Sequence, residues 1–291
     1  MKNKYLNNRD LLKEIHLSKN TFCSFLNPDD DHHYDAIIGN ISEITDEVIA
    51  AAKKTRADRM QRDAYEDSVD DGVKKYKMAD FKIDPDTIPV KDLVFRVMTF
   101  DHIPLNGKRK KNPKSKSDHH DKVNFPPFQH FRLDDDSKPF CVGKSHWMGG
   151  LHNGHFNLTH GKMTPNLARM FLKLCERFAT RGNWRGYTYN DEMRGQALLQ
   201  LTQIGLQFDE SKSNNPFSYY TAVCGNSFTR VLNLEKRNQN IRDDILEMNN
   251  QTPSYTRQFE WSYKPNKPVV AAPPVEEAVE EVTDEAEETK E

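Results

Sequence analysis

Between residues 219 and 237, a tyrosine, small or amide side chains and two arginines recur at helical spacing: Tyr219, Ala222, Asn226, Thr229, Arg230, Asn233 and Arg237. At about 100° per residue they gather on one side of a helix, opposite Phe217, Tyr220, Cys224, Phe228 and Val231. The apolar set predicts a core face. The polar set has chemistry suited to nucleic acid: an aromatic ring stacks an unpaired base, Asn makes paired bonds to an adenine edge, and Arg holds phosphate or guanine. None of this requires a catalytic group. The plain alternative is the solvated side of an ordinary helix.

Other constellations invite chemistry less strongly. His146, His152, His155 and His160 fall near Cys141, but the spacing fits no standard zinc finger and thiolate support is thin, so no metal is expected. His119, His120 and His160 raise the enzyme alternative, an HNH-like metal-dependent nuclease, although no strand-strand-helix frame surrounds them in the sequence. The run KRKKNPKSK at residues 108–116 can bind phosphates nonspecifically, or simply solubilise a loop. No GxxxxGK, GxGxxG or GxSxG motif is present, so nucleotide hydrolysis and esterase chemistry have no foothold and no cofactor is expected.

The elements that must position these residues follow from composition and period. The 291 residues are strongly polar, and the net charge of -2 conceals a Lys-rich stretch at 108–122 and an acidic one after 275. Cys23, Cys141, Cys175 and Cys224 form no CxxC pair and read as reduced thiols. Neither a signal-peptide stretch nor an apolar run long enough for a bilayer is present, so a soluble, non-exported protein without a membrane partner is expected. Leu11, Leu12 and Ile15 predict a short helix over 9–17, and Ser42 is a candidate cap for a second, carrying Val48, Ile49 and Ala52. Prolines at 85, 89, 104, 113, 126, 127 and 139 forbid long helices over 81–159. That stretch holds a β-prone run at 93–100 and a hairpin of 128–133 with 140–142 around Asp134, Asp135, Asp136 and Ser137. After Thr164-Pro165 come three helices. The first has Leu167, Met170, Phe171, Leu174, Cys175 and Phe178 on one stripe, the second (190–206) has Met193, Ala197, Leu201 and Ile204, and the third opens at Asn215-Pro216.

The expected fold class is mainly α: a helical bundle with a small irregular α+β insert and a disordered acidic C-terminal tail. The expected divisions are an N-terminal helical segment (1–80), the insert with its basic loop (81–160), the helical domain (161–250), an aromatic linker (251–268) and the tail (269–291), which has too little apolar surface to offset its ordering entropy.

The tract FDESKSNNPFSYYTAVCGNSFTRV, from Phe208-Asp209 onward, can be laid without gaps on the second conserved region of bacterial sigma factors, with the shared Tyr, Thr and Thr-Arg at Tyr219, Thr221 and Thr229-Arg230. Over roughly residues 164–258 the chain resembles above all the divergent sigma factors that large contractile-tailed phages use for late genes, in their longer cyanobacterial-phage versions. The resemblance implies a sigma region-two-like bundle in which Tyr219 stacks a base flipped from the minus-ten promoter element. It further implies that Asn226 and Thr229 meet the upstream edge of that element and that Arg230 faces the DNA backbone, with Asn233 and Arg237 continuing the same face. Extruding a base costs a few kcal/mol, which stacking largely recovers. Two tryptophans that wedge the duplex in many bacterial sigma factors are replaced by Ala222 and Val223.

The preceding helix resembles the region that docks on the coiled coil of the polymerase largest subunit, with Glu192 and Gln196 at matching polar positions and Arg194 as a further docking candidate. No second helix-turn-helix follows Arg237. The phage relatives also lack that module, attaching instead to the polymerase flap and, through a hydrophobic C-terminal peptide, to the sliding clamp. Here the end reads TDEAEETKE, and Tyr255, Phe259, Trp261 and Tyr263 are the aromatic residues left to serve as such a peptide. The expectation is therefore a non-enzymatic late-promoter sigma factor in the host cell cytoplasm, with host core RNA polymerase and promoter DNA as partners and a phage coactivator and sliding clamp as further candidates. The second reading is a non-enzymatic nucleic-acid-binding or polymerase-associated regulator using the same surfaces.

Overall fold

The computed structural model describes residues 6–27, 32–70, 77–107 and 112–263. The chain forms two compact units, Met1–Asn233 and Leu234–Glu291. The expectation of a mainly α fold is corrected: the first unit is α+β, built on a five-stranded mixed sheet. Its strands are β1 (Cys23–Phe25), β2 (Ala36–Ile38), β3 (Phe95–Met98), β4 (Phe128–Leu133) and β5 (Pro139–Ser145), in the order β1-β5-β4-β3-β2. All neighbours are antiparallel except β2 and β3. A separate two-stranded ribbon pairs β6 (Trp147–Met148) with β7 (His155–Phe156). The sequence concealed the sheet for a physical reason. β1 and β2 are three residues each, too short to show alternation, and their partners lie far along the chain, Cys23 opposite Ser145 and Ala36 opposite Phe95.

The β4–β5 hairpin forms around the polar turn. Asp134 accepts the backbone N–H groups of Asp136 and Lys138 at 2.9 Å each, and Ser137 takes φ 58°. Period 2 then sends alternate residues of β3 and β4 to opposite faces. Phe95, Val97, Phe131 and Leu133 join Ile38, Ala52 and Ala57 in a core beneath helix α2 (Asp46–Asp70). Buried Asp35 fastens that helix, with Arg59 at 2.9 Å and Arg56 at 3.3 Å, and accepts Val94 N–H at 2.9 Å. Ser42 does not cap α2. It lies in a 3-10 turn, Ile41–Glu43, and Thr45 Oγ1 accepts from Val48 N–H at 3.5 Å instead.

The opposite face of the sheet supplies Arg96, Phe128 and His130, and meets helix α1 (Asn8–Asn20), whose start is capped by Asn7. Leu11 and Ile15 of α1 enter the same core as Leu167, Phe171, Leu174 and Phe178 of α3 (Pro165–Ala179) and Met193, Ala197 and Leu201 of α4 (Asn190–Ile204). Thr164 joins the two chain segments. Its hydroxyl caps α3 through Leu167 N–H at 3.3 Å and donates to Glu14 at 2.8 Å, while its N–H donates to Ser18 Oγ at 3.0 Å.

In the second unit, helix α5 (Pro216–Met248) contributes its residues from Leu234 onward and is followed by α6 (Tyr255–Tyr263). Ser254 at the start of α6 donates its N–H and hydroxyl to Asp243 at 2.8 and 2.7 Å, and Arg257 pairs with Asp244 and Glu247. No helix among the described residues is long and apolar enough to cross a membrane. Residues 108–111 of the basic loop, 28–31 of the early polar loop, and all of the acidic tail lie outside the described residues.

Candidate nucleic-acid interface

Asn215 and Pro216 start α5 as their types require: Asn215 Oδ1 accepts Ser218 N–H at 3.0 Å, and Pro216 takes the first turn, where no N–H partner is needed. The buried stripe then runs Tyr220, Val223, Cys224, Ser227 and Phe228. It is turned by roughly 30° from the expected one. Val223 and Ser227 are inside, Val231 is only half-buried and Phe217 is exposed. Aromatic edges set the angle. Tyr220 meets Phe171 in a T-shape at 4.8 Å, and Phe228 meets Phe178 at 5.1 Å and Trp184 at 5.4 Å. The Tyr220 hydroxyl donates to Gly205 O at 2.7 Å, and burial raises its pKa far above the ordinary phenol value.

Gly205 ends α4 and opens a 3-10 turn, Gly205–Gln207. A Cβ there would meet the Phe171 ring at 2.6 Å, so glycine is required by close approach.

The outward side of α5 in the first unit carries Ala222, Asn226, Thr229, Arg230 and Asn233, all exposed. No carboxylate occurs from Pro216 to Leu234. Tyr219 differs from these neighbours: it is half-buried, with its ring 5.6 Å from Phe208 and 5.3 Å from Tyr220, and burial raises its hydroxyl pKa. Arg237 is exposed in the second unit. Of the adjacent pair, Ala222 faces solvent and Val223 faces the core.

Behind the start of this helix lies a buried ionic cluster that the sequence reading did not find. Glu210 takes Arg96 of β3 at 2.8 Å and Lys19 of α1 at 3.1 Å, and Lys19 also donates to Phe208 O at 2.8 Å. Arg96 is fully buried, with its guanidinium 4.0 Å from the Tyr34 ring centre, 3.8 Å from that of Phe128, and bonds to His16 and His130. Burial lowers the pKa of both histidines well below the ordinary value, and the Arg96 charge adds to the effect. The cluster pins residues 208–210, the approach to α5, to the sheet and to α1. Asp209 beside it folds back on Ser211 and Lys212. Burial pushes its carboxyl pKa up, but those bonds outweigh it and hold the group low.

On α4 the structure separates the docking candidates. Exposed Glu192 and half-buried Gln196 lie one turn apart on one side, whereas exposed Arg194 lies about 160° from Glu192 and pairs with Asp191 at 3.4 Å. The strip of Glu192 and Gln196 continues to Leu199, 52 % exposed. Leu199 was legible as the seventh residue after Glu192, two turns along the same side.

The histidines of the insert take individual partners, except that His102 and His146 share Ser145 Oγ at 3.3 Å each. His120 approaches Ile103 O at 3.2 Å and the Phe100 ring at 5.1 Å, while His160 sets its edge on Phe22 at 6.0 Å. His146 is buried against Phe125 at 4.0 Å, and burial lowers its pKa to about 3. Among the described residues no group of three or more His, Cys, Asp or Glu is arranged to hold a metal. No family model, curated protein or solved structure matches the chain.

Proposed function

We propose that the chain is a sigma factor for phage late transcription, which binds host core RNA polymerase in the host cytoplasm and directs it to late promoters by recognising and helping to open a TATA-like minus-ten element. The observation that carries this reading is the outward side of α5 from Tyr219 to Asn233: an aromatic ring, two amides, a hydroxyl and an arginine, with no carboxylate between Pro216 and Leu234. A duplex carries one negative charge per about 1.7 Å, so a carboxylate-free surface bearing Arg230 can approach it without repulsion.

Tyr219 is already backed by Phe208 and Tyr220. A base extruded from the minus-ten element stacks on its remaining surface without first ordering a free side chain. Asn226 and Thr229 read base edges upstream, and Arg230 holds the backbone. The cluster of Glu210 with Arg96 and Lys19 positions the tract that supports Tyr219. On α4, Glu192, Gln196 and Leu199 offer a polar strip with one apolar residue for a polymerase helix. The exposed aromatic residues of α6, Tyr255, Phe259 and Trp261, are the peptide this reading offers to a coactivator or sliding clamp.

Runoff transcription tests the proposal, using purified host core polymerase and a template with a TATA-like minus-ten element. The wild type yields a transcript of defined length, and Tyr219→Ala loses most of it while still binding core polymerase. Absence of any specific wild-type transcript would overturn the sigma reading in favour of the second, a nucleic-acid-binding or polymerase-associated regulator using the same surfaces.

A further inference from the structure

In the second unit the usual arrangement of a helix is inverted. The face of α5 that packs on α6 is polar: Gln239 and Asp243 bond Ser254, and Glu247 pairs with Arg257. The apolar face is turned outward. Leu234, Ile241, Ile245 and Met248 are 56, 47, 52 and 83 % exposed. At 100° per residue these four fall within a sector of about 60°, directly opposite the α6 face. Their spacing of seven, four and three residues is that of a two-helix seam, with Asn238 at the remaining seam position.

We propose that this seam binds a second copy of the chain, α5 lying antiparallel to its counterpart about a two-fold axis between residues 239 and 240. The flanking charges select both occupant and direction. One flank carries Glu235 and Arg242, the other Arg237 and Asp244; within the chain Glu235 accepts from the Asn238 amide at 3.3 Å and Asp244 also pairs with Arg257 of α6. In the antiparallel arrangement each flank faces its own copy, so Glu235 meets the partner's Arg242 and Arg237 meets the partner's Asp244. By symmetry all four contacts are attractive. In a parallel arrangement the flanks exchange, and Arg242 faces the partner's Arg237. The apolar layers match in the same register, with Leu234 on the partner's Ile245 and Asn238 on the partner's Ile241. The two Asn238 side chains then lie about 4.5 Å apart along the axis, three residue rises of 1.5 Å, within mutual hydrogen-bonding reach. A patch of this kind on a self-complementary surface is how closed two-fold dimers form.

Sedimentation velocity of the full chain, from low to several hundred micromolar and without DNA or polymerase, tests this independently of the promoter reading. The wild type passes from monomer to dimer, and Ile245→Glu stays monomeric. Arg242→Glu places like charges at two symmetry-related contacts and weakens the dimer by about ten-fold, and adding Glu235→Arg restores it. Because Arg242 and Ile245 are exposed and Glu235 is half-buried at the helix surface, far-UV circular dichroism should be unchanged. If Ile245→Glu unfolds, the Arg242 and Glu235 swap decides alone. A wild type monomeric throughout overturns the proposal, as does a dimer insensitive to Ile245→Glu or one tightened by Arg242→Glu, the parallel outcome. Seam protection appearing only when core polymerase is added to a monomeric chain would assign the surface to polymerase and overturn it too.

Discussion

The two stretches of α5 solve opposite problems with the same backbone. From Pro216 to Asn233 the helix buries Tyr220, Cys224 and Phe228 and turns amides, a hydroxyl and an arginine outward. From Leu234 onward it packs Gln239 and Asp243 against α6 and turns leucine, isoleucine and methionine outward. Exposed apolar residues are ordinary when scattered and informative when aligned. The contrast teaches that the first stretch is anchored by apolar burial, while the second holds α6 through polar contacts and leaves its apolar side exposed.

Acidification should separate the two units that share α5 most strongly. His16, His102, His130 and His146 all lie in the first unit, and burial lowers the pKa of each, to about 4 for His102 and about 3 for His146. No histidine lies beyond His160. An unfolded histidine titrates near 6.5, so below that pH the unfolded chain takes up protons that the folded one refuses. The stability these groups contribute is present above about 6.5 and lost as pH falls toward the folded values, by about 1.4 kcal/mol per pH unit for each histidine. Urea unfolding at pH 7.5 and 5.5 measures it. Equal midpoints would mean that these rings are not held neutral.

Phe228→Ala, in the buried stripe, should cost about 3–5 kcal/mol in the same assay at neutral pH. A cost below about 1 kcal/mol would place that ring outside the core. Tyr220→Phe keeps the ring and removes only the bond to Gly205 O, so about 1 kcal/mol is expected, read as a small shift of the urea midpoint at constant slope. Arg230→Ala should leave unfolding unchanged and weaken promoter DNA binding evenly across sequences, lowering the slope of log affinity against log salt by about 1. An unchanged slope removes Arg230 from the phosphate contacts. The smallest effect belongs to the second stretch: Ile241→Ala should change monomer stability by less than about 0.5 kcal/mol. A larger loss would show that Ile241 is packed and break the contrast.

Much of the helical half was legible because its signals are local. Thr164-Pro165 and Asn215-Pro216 start helices wherever they occur, and six apolar residues at period 3.6 between Leu167 and Phe178 can bury only one face. The outward set on α5 was legible on the same ground, since a wheel needs only the sequence. The sheet was not, because strands of three residues carry no period and pair with segments 59 to 122 positions away. Nor was the buried cluster. Lys19, Arg96 and Glu210 are separately ordinary charged residues, and nothing within ten residues of any of them announces the others.

The sequence by itself determined where α3 and α5 start, which face of each is apolar to within about 30°, and which side chains α5 turns outward before Leu234, because those properties depend on neighbours three or four residues away. Only the tertiary structure decided that Tyr219 is backed by Phe208, that Glu210 ties the approach to α5 to a sheet, and that the apolar side beyond Leu234 is left uncovered. Burial is a property of what the rest of the chain covers, and no local period records it.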